Sequence, residues 1–337
     1  MSLIFMDGFD HYATADINKK WTSVTGSPTI GASTGRRSGG AIFYNSSTNT
    51  IKSFASAASV IVGFAFNLQI TTTTRILLSF RDSASVQVDL RVNAGGTLSV
   101  TRAGVALTDG TSTNALSTGT FYYIEFKVTI ANSISAGSCK VRVNGVDWLT
   151  VAIGQDTQVT ANASVNELLI GSSGTNMNGY VDDLYLCNSS GSTNNDFLGD
   201  CRIDALYPTS DGNYSQFTPS TGTDHYALVD ESTPNTSDYN ESSTLNHIDS
   251  YGMGNLPTSP TTVYGVQVCD AALKDDAGAR GLSPFIRSSS TDSVGTELSL
   301  STSQLYALAI WETDPATSAA WTVSGVNAAE VGGKVTT

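Results

Sequence analysis

Phe121-Tyr122-Tyr123-Ile124-Glu125-Phe126-Lys127-Val128-Thr129-Ile130 runs into a polar break, then Cys139-Lys140-Val141-Arg142-Val143, then Asn144-Gly145, then Trp148-Leu149-Thr150-Val151. Side chains alternate along an extended chain, so Tyr122, Ile124, Phe126, Val128 and Ile130 share one face. Asn-Gly between two such segments is the strongest short hairpin signal, because both residues accept the positive φ of a tight two-residue turn. The same pattern extends outward. Upstream, Val60-Ile61-Val62-Gly63-Phe64-Ala65-Phe66-Asn67-Leu68 and Arg75-Ile76-Leu77-Leu78-Ser79-Phe80 are apolar runs of buried-strand type. Val86 to Val92 alternates, which predicts Val86, Val88, Leu90 and Val92 inward and Gln87, Asp89 and Arg91 toward water. Asn93-Ala94-Gly95-Gly96 turns it back into Thr97-Leu98-Ser99-Val100. Downstream, Glu167 to Gly171 and Tyr180 to Leu186 complete the set. Strand, turn and strand repeated at this spacing predict an all-β fold, an antiparallel β-sandwich or jelly roll.

The chain has 337 residues, too many for one ordinary core, which predicts two domains. Asn188 to Asn195 reads as a loop, and the boundary is expected near residue 208: a first sandwich over 1–208 and a second, smaller β-sandwich over 209–337. In the latter, Thr262 to Cys269, Ser283 to Arg287, Leu305 to Trp311 and Ala320 to Val323 read as strands, and Ser324 to Glu330 as one turn of helix. No fixed-period repeat points to a solenoid or a propeller. The net charge of −13 repels phosphate and argues against nucleic acid as a partner. No apolar run is long enough to insert in a membrane, and Ser2-Leu3-Ile4-Phe5-Met6-Asp7 lacks the pattern of a signal peptide, so synthesis in the cytoplasm is expected. Cys139, Cys187, Cys201 and Cys269 form no Cys-x-x-Cys pair. They are expected as reduced, partly buried thiols, with a Cys187–Cys201 bridge as the alternative.

Two further stretches carry a family resemblance: Phe5-Met6-Asp7-Gly8-Phe9-Asp10-His11-Tyr12 near the start and Gly179-Tyr180-Val181-Asp182-Asp183-Leu184-Tyr185-Leu186 far downstream. Together they resemble the opening and closing strands of a concanavalin A-like (laminin G-type) lectin-fold sandwich, which often lie side by side. Their wording resembles virion proteins of tailed bacteriophages, most strongly over the first domain and more loosely beyond it. The resemblance implies a concanavalin A-like first domain on which a segment like Phe197 to Pro208 still packs. It also implies a non-enzymatic structural component of a phage particle, on tail, fibre or capsid, a decoration protein in the last case. The partners would be other virion proteins and further copies of the chain. A glycan-binding adhesin gripping the host surface is the alternative, and a polysaccharide depolymerase a minor one.

Residues that carry chemistry are sparse. Glucanases of this fold place carboxylates at Glu-x-Asp-x-Glu spacing on one strand, where alternation sets them on one face. No such run exists here: Glu125 stands alone. Asp182 and Asp183 are adjacent, so they are expected on opposite faces, in a structural role, with a carboxylate bonding a neighbouring loop. Of the three histidines, His225 and His247 can approach each other, but no Gly-x-Ser-x-Gly elbow supports a triad. No cofactor is required. Calcium is the one candidate, with Asp211, Asn213, Asp230 and Glu231 as oxygen ligands, against ordinary Asx-turn chemistry. Tyr264, Tyr306, Trp311 and Trp321 are the candidates for a sugar-stacking platform or a protein interface, against plain core packing. Gly31 to Gly40 lacks the Gly-Lys-Ser/Thr ending of a phosphate loop. Its Arg36 or Arg37 is expected to pair with acidic groups on a partner subunit.

Overall fold

Asn144 and Gly145 take φ values of +50° and +78° and close the hairpin between strands Ser138–Val143 and Val146–Val151. The computed structural model, which describes residues 2–45, 47–132, 136–172, 177–257 and 260–337, builds an all-β protein around such hairpins. It divides into two units, Met1–Ile203 and Asp204–Thr337.

The first unit is a sandwich of two antiparallel sheets. The eight-stranded sheet runs Val146–Val151, Ser138–Val143, Phe121–Thr129, Ser59–Leu68, Gly179–Asn188, Ala41–Tyr44, Thr29–Gly31, with Leu3–Asp7 also paired to Gly179–Asn188. The seven-stranded sheet runs Val105–Ala115, Thr97–Arg102, Ser85–Val92, Arg75–Asp82, Val165–Gly171, Asn49–Ala57, Ser23–Thr25. The opening and closing strands are neighbours, with Met6 opposite Tyr185 and Asp7 opposite Leu184. Between the sheets, Phe64, Phe66, Phe80 and Phe126 are wholly buried, and Phe80 stacks on Phe126 across the layers at 5.6 Å. Each such ring contributes about 1.5–3 kcal/mol of burial free energy.

Alternation assigns the inner faces correctly but misreads one outer face. Gln87 and Asp89 were expected in water and are instead buried. Residues 159–164 roof this part of the seven-stranded sheet. Gln87 Nε2 donates to Thr160 Oγ1 (2.8 Å) and to the Asn162 carbonyl (2.9 Å). Asp89 accepts from Ser79 Oγ (2.5 Å) and from Arg91 Nη2 (2.8 Å). Burial is tolerated because each polar group finds a partner.

The opening strand ends on a buried ionic knot. Asp7 accepts from the Phe9 N–H (3.0 Å), Tyr12 Oη (2.6 Å), Trp21 Nε1 (2.9 Å) and Lys20 Nζ (3.0 Å). Burial pushes its carboxyl up, but the Lys20 ammonium, His11 and these hydrogen bonds outweigh it and hold the pKa below the ordinary value.

The second unit is the smaller sandwich, and one of its layers is a ribbon. A six-stranded sheet runs Pro208–Ser215, Ile248–Met253, Glu330–Val335, Gly281–Ser288, Thr291–Val294, with Leu298–Ser299 on the side of Gly281–Ser288. The facing ribbon pairs Val266–Ala272 with Leu305–Trp311. Ile286, Trp321, Val326 and Ala329 form a core cluster that Leu206, Val266 and Trp311 extend. The helix is Val323–Ala328, capped by Thr322 Oγ1 accepting from the Gly325 N–H (3.0 Å). Glu330 already belongs to the last strand. The division after residue 203, against the expected 208, follows from Leu206, whose side chain lies in this second core.

Candidate functional site

The four aromatic candidates do not form an open platform, and that expectation is corrected. Trp321 and Tyr306 are buried. Trp321 Nε1 donates to the Trp311 carbonyl (2.9 Å), and Trp311 Nε1 donates to Ser293 Oγ (2.8 Å). Tyr264 is half-buried in the segment leading to the ribbon. Trp321 and Trp311 sit in apolar strand pattern because they pack into the core cluster of the second unit.

The calcium candidates are not gathered either, which corrects the second expectation. Asp211 Oδ1 accepts from the Tyr226 N–H (2.7 Å), Asn213 N–H donates to Glu330 Oε2 (2.7 Å), and Glu231 Oε1 accepts from Asn235 Nδ2 (2.7 Å). Asp230 is exposed. Among the described residues no group of three or more His, Cys, Asp or Glu side chains is placed to hold a metal ion. The carboxylates stitch turns, as short polar side chains do. None of the four cysteines is joined in a disulfide, with Cys187 buried and Cys201 half-buried, so the alternative bridge is not formed. Burial pushes the Cys201 thiol up to about 12.

The histidines part company. His225 Nδ1 meets Asp249 Oδ2 at 2.6 Å, both buried, whereas His247 Nδ1 meets Ser242 Oγ at 3.0 Å. Asp249 also accepts from the N–H groups of Gln216 and Phe217 (2.7 Å each) and from Tyr251 Oη (3.3 Å). One carboxylate thereby ties the 216–226 segment to strand Ile248–Met253.

Asp182 and Asp183 take the expected structural role, each carboxylate accepting from a neighbouring loop segment, but depart from the expected alternation. Asp183 has φ of +49° and the register shifts between Asp182 and Tyr185, so alternation breaks and both carboxylates turn to Arg36. Asp182 Oδ2 accepts from the Arg36 N–H (2.8 Å), and Asp183 Oδ2 lies 3.2 Å from Arg36 Nε. Arg36 Nη1 reaches Asp200 at 2.6 Å and Nη2 donates to the Cys201 carbonyl at 2.9 Å. The expected pairing of Arg36 with a partner subunit is thus replaced by pairing within the chain. Burial, reinforced by Asp183, lifts the Asp182 carboxyl to about 7.

Arg36 is one end of a strap. Residues 196–203 lie across the outer face of the eight-stranded sheet. The Gly199 N–H donates to Glu125 Oε1 (2.8 Å), the Leu198 N–H to Tyr185 Oη (3.1 Å), and the Ile203 N–H to Asp183 Oδ1 (2.8 Å). Tyr185 Oη donates in turn to Glu125 (2.6 Å). Gly63 is glycine because the Tyr185 ring takes its place: a Cβ there would stand 2.1 Å from Tyr185 Cε1.

Where the strap ends at Phe197, the same face opens into a shallow groove lined by Lys127, Lys140, Arg142, Thr150, Ile153 and Phe197. Lys127 and Lys140 are cross-strand partners, as are Lys140 and Thr150. Arg142 holds its guanidinium 4.5 Å from the centre of the Phe197 ring. Lys140 Nζ and Arg142 Nε share Asp147, at 2.7 and 2.9 Å, and Lys127 Nζ contacts Asp196 at 3.0 Å. The hydrogen bond from Lys140, with that from Arg142, outweighs slight burial and lowers the Asp147 carboxyl. Sequence reasoning passed over these residues. Part of their signal was present in the Asn144-Gly145 hairpin, where alternation puts Lys140 and Arg142 on one polar face; Lys127 joins them only through the pairing of Phe121–Thr129 with Ser138–Val143. Phe197, from a loop remote in sequence, carried no signal.

No family model matches the chain, and no curated protein matches it. Solved structures similar to it include an alginate lyase, Aly36B, at 12% identity over 53% of this chain and 92% of that one, with a TM-score of 0.38. A Trypanosoma rangeli sialidase in complex with sialic acid is similar at 14% identity over 50% of this chain, with a TM-score of 0.34, and only 30% of the sialidase is spanned. The cellulose-induced protein Cip1 is similar at 16% identity over 49% of this chain and 85% of that one, with a TM-score of 0.35. At these values the likeness is one of sandwich fold. It also corrects the expectation that the chain is not an enzyme: two of these neighbours are enzymes, so the exclusion of catalysis is withdrawn.

Proposed function

We propose that the protein is a structural component of a tailed-bacteriophage particle, carried on tail, fibre or capsid and held there by other virion proteins and by further copies of itself. The observation that carries this reading is the resemblance of residues 5–12 and 179–186 to phage virion proteins. It is supported by the use those residues serve, since the two stretches are paired strands that close the first unit. Arrayed copies on a symmetric particle convert weak single contacts into firm attachment, because every contact after the first is intramolecular. Purified particles from the source phage, probed with gold-labelled antibody and by mass spectrometry, test the reading. Label at a regular position on intact particles is the expected result. Recovery of the protein solely from the soluble lysate, with particles free of it, would refute it.

A further inference from the structure

We propose that the groove beside Phe197 binds an acidic polysaccharide, whose carboxylate or sulfate groups displace Asp147 and Asp196 from Lys127, Lys140 and Arg142. The chain carries 17 basic and 30 acidic residues, yet the groove gathers three cations against two carboxylates. Both carboxylates are weakly seated, with side chains 46% and 67% exposed, and such pairs hold with little energy. An incoming anion therefore replaces one exposed counterion with another and gains the unmatched charge. Arg142 is held over the Phe197 ring, which orients its planar fork for a carboxylate or sulfate.

The surroundings favour a saccharide over other polyanions. Neighbouring strands stand about 4.8 Å apart, so cations on successive strands are spaced on the scale of one sugar ring. That suits one charge per residue of a uronate chain. Duplex nucleic acid carries a charge every ~1.7 Å, and the net charge of −13 repels so dense a polyanion. Thr150 and Ser138 offer hydroxyls, and the half-buried Phe197 ring and Ile153 offer apolar surface for the C–H face of a pyranose. The inference does not depend on whether the chain is carried on a particle.

The test is calorimetric titration of the full chain with polygalacturonate, dextran sulfate, neutral dextran and polyglutamate at low and at physiological salt. Polygalacturonate or dextran sulfate is expected to bind and to weaken with salt, while dextran does not. The double substitution Lys140→Gln with Arg142→Gln removes charge-assisted contacts and is expected to weaken binding about tenfold or more. Asp147→Asn removes the competing carboxylate and is expected to tighten binding severalfold, a gain that damage to the fold does not mimic. No binding of either acidic polysaccharide at low salt would overturn the proposal. Equal binding of polyglutamate would reassign the groove to acidic protein segments. Binding unchanged in both variants would place the ligand elsewhere.

Discussion

Asp7→Asn leaves the Lys20 ammonium buried without its counter-charge, and the loss is expected at about 3–5 kcal/mol. Urea unfolding followed by circular dichroism measures it, and a loss under 1 kcal/mol would mean that neutral acceptors suffice. Two residues of the same unit titrate against each other. His11 is pushed down to about 3, by burial first and then by Lys20, from an ordinary 6.5. The folded state then binds fewer protons than the unfolded state between those values, and stability falls as pH drops through that window. Asp182 runs the other way. Its pKa is raised from 3.8 to about 7, so its contribution is complete below 3.8 and is lost as pH rises through 7. The shifts are of similar size and opposite sense, so the two terms largely offset between pH 4 and 7. His11→Gln should make the first unit gain stability on acidification, and Asp182→Asn should make it lose stability. Thermal midpoints of both variants across that range check the pair, and slopes of the same sign would refute it. Nothing at single-residue level in the sequence announces this opposition, since burial first, and then Lys20, lowers the His11 pKa only once the turn at Phe9 and the helix Ile17–Lys20 have brought these groups together.

In the ribbon of the second unit, Val266, Val268 and Asp270 share the face turned to the larger sheet, and Asp270 stands opposite the buried Ala307. The residue is half-buried as a whole, but its Oδ2 is fully buried without a hydrogen-bond partner. Burial raises its pKa well above 3.8. The stability of this unit is therefore greatest where the carboxyl is protonated in both states, and declines as pH rises toward the folded-state value. Asp270→Val continues the apolar alternation and suits a strand. It is expected to stabilise the second unit by about 1–3 kcal/mol at pH 8 and by less at pH 4. Equal gains at both pH values would show that the carboxyl does not titrate in its buried place. Strands such as Phe121–Thr129 and the turn at Asn144-Gly145 were legible in the sequence because alternation and turn chemistry are local. What covers an outer face is not local, so Gln87 and Asp89 read as solvated, whereas residues 159–164 cover Gln87 and Ser79, Arg91 and Thr101 enclose Asp89. For Trp311 and Trp321 a platform stood as a candidate against plain core packing. The groove was legible to the extent that alternation sets Lys140 and Arg142 on one face of their strand; that Lys127 stands opposite Lys140 comes from the pairing of Phe121–Thr129 with Ser138–Val143. Its wall, Phe197, was not, since only the strap anchored at Glu125, Tyr185 and Arg36 brings it there.

At the scale of the molecule, length alone called for two cores, and each unit has one. In the first, Phe64, Phe66, Phe80 and Phe126 lie between two complete sheets, and the Asp7 knot, the closing strand and the strap are all contained within residues 2–203. In the second, Trp321 and Ile286 anchor a core reached by strands from both ends of residues 204–337. A unit with its own core, and with its Asp7 knot and strap closed inside its own boundaries, has what it needs to fold alone. Residues 1–203 expressed alone are therefore expected to unfold in one cooperative transition, with near-ultraviolet circular dichroism of fixed aromatic packing. The acid profile of this fragment should match that of the first unit in the full chain, because His11, Asp7 and Asp182 keep all their neighbours. A fragment with strand content but no fixed aromatic signal, binding a hydrophobic dye, would show that the core is completed from outside these residues. That result would move the boundary back toward residue 208, since Asp204 to Tyr207 would then be the residues the fragment lacks.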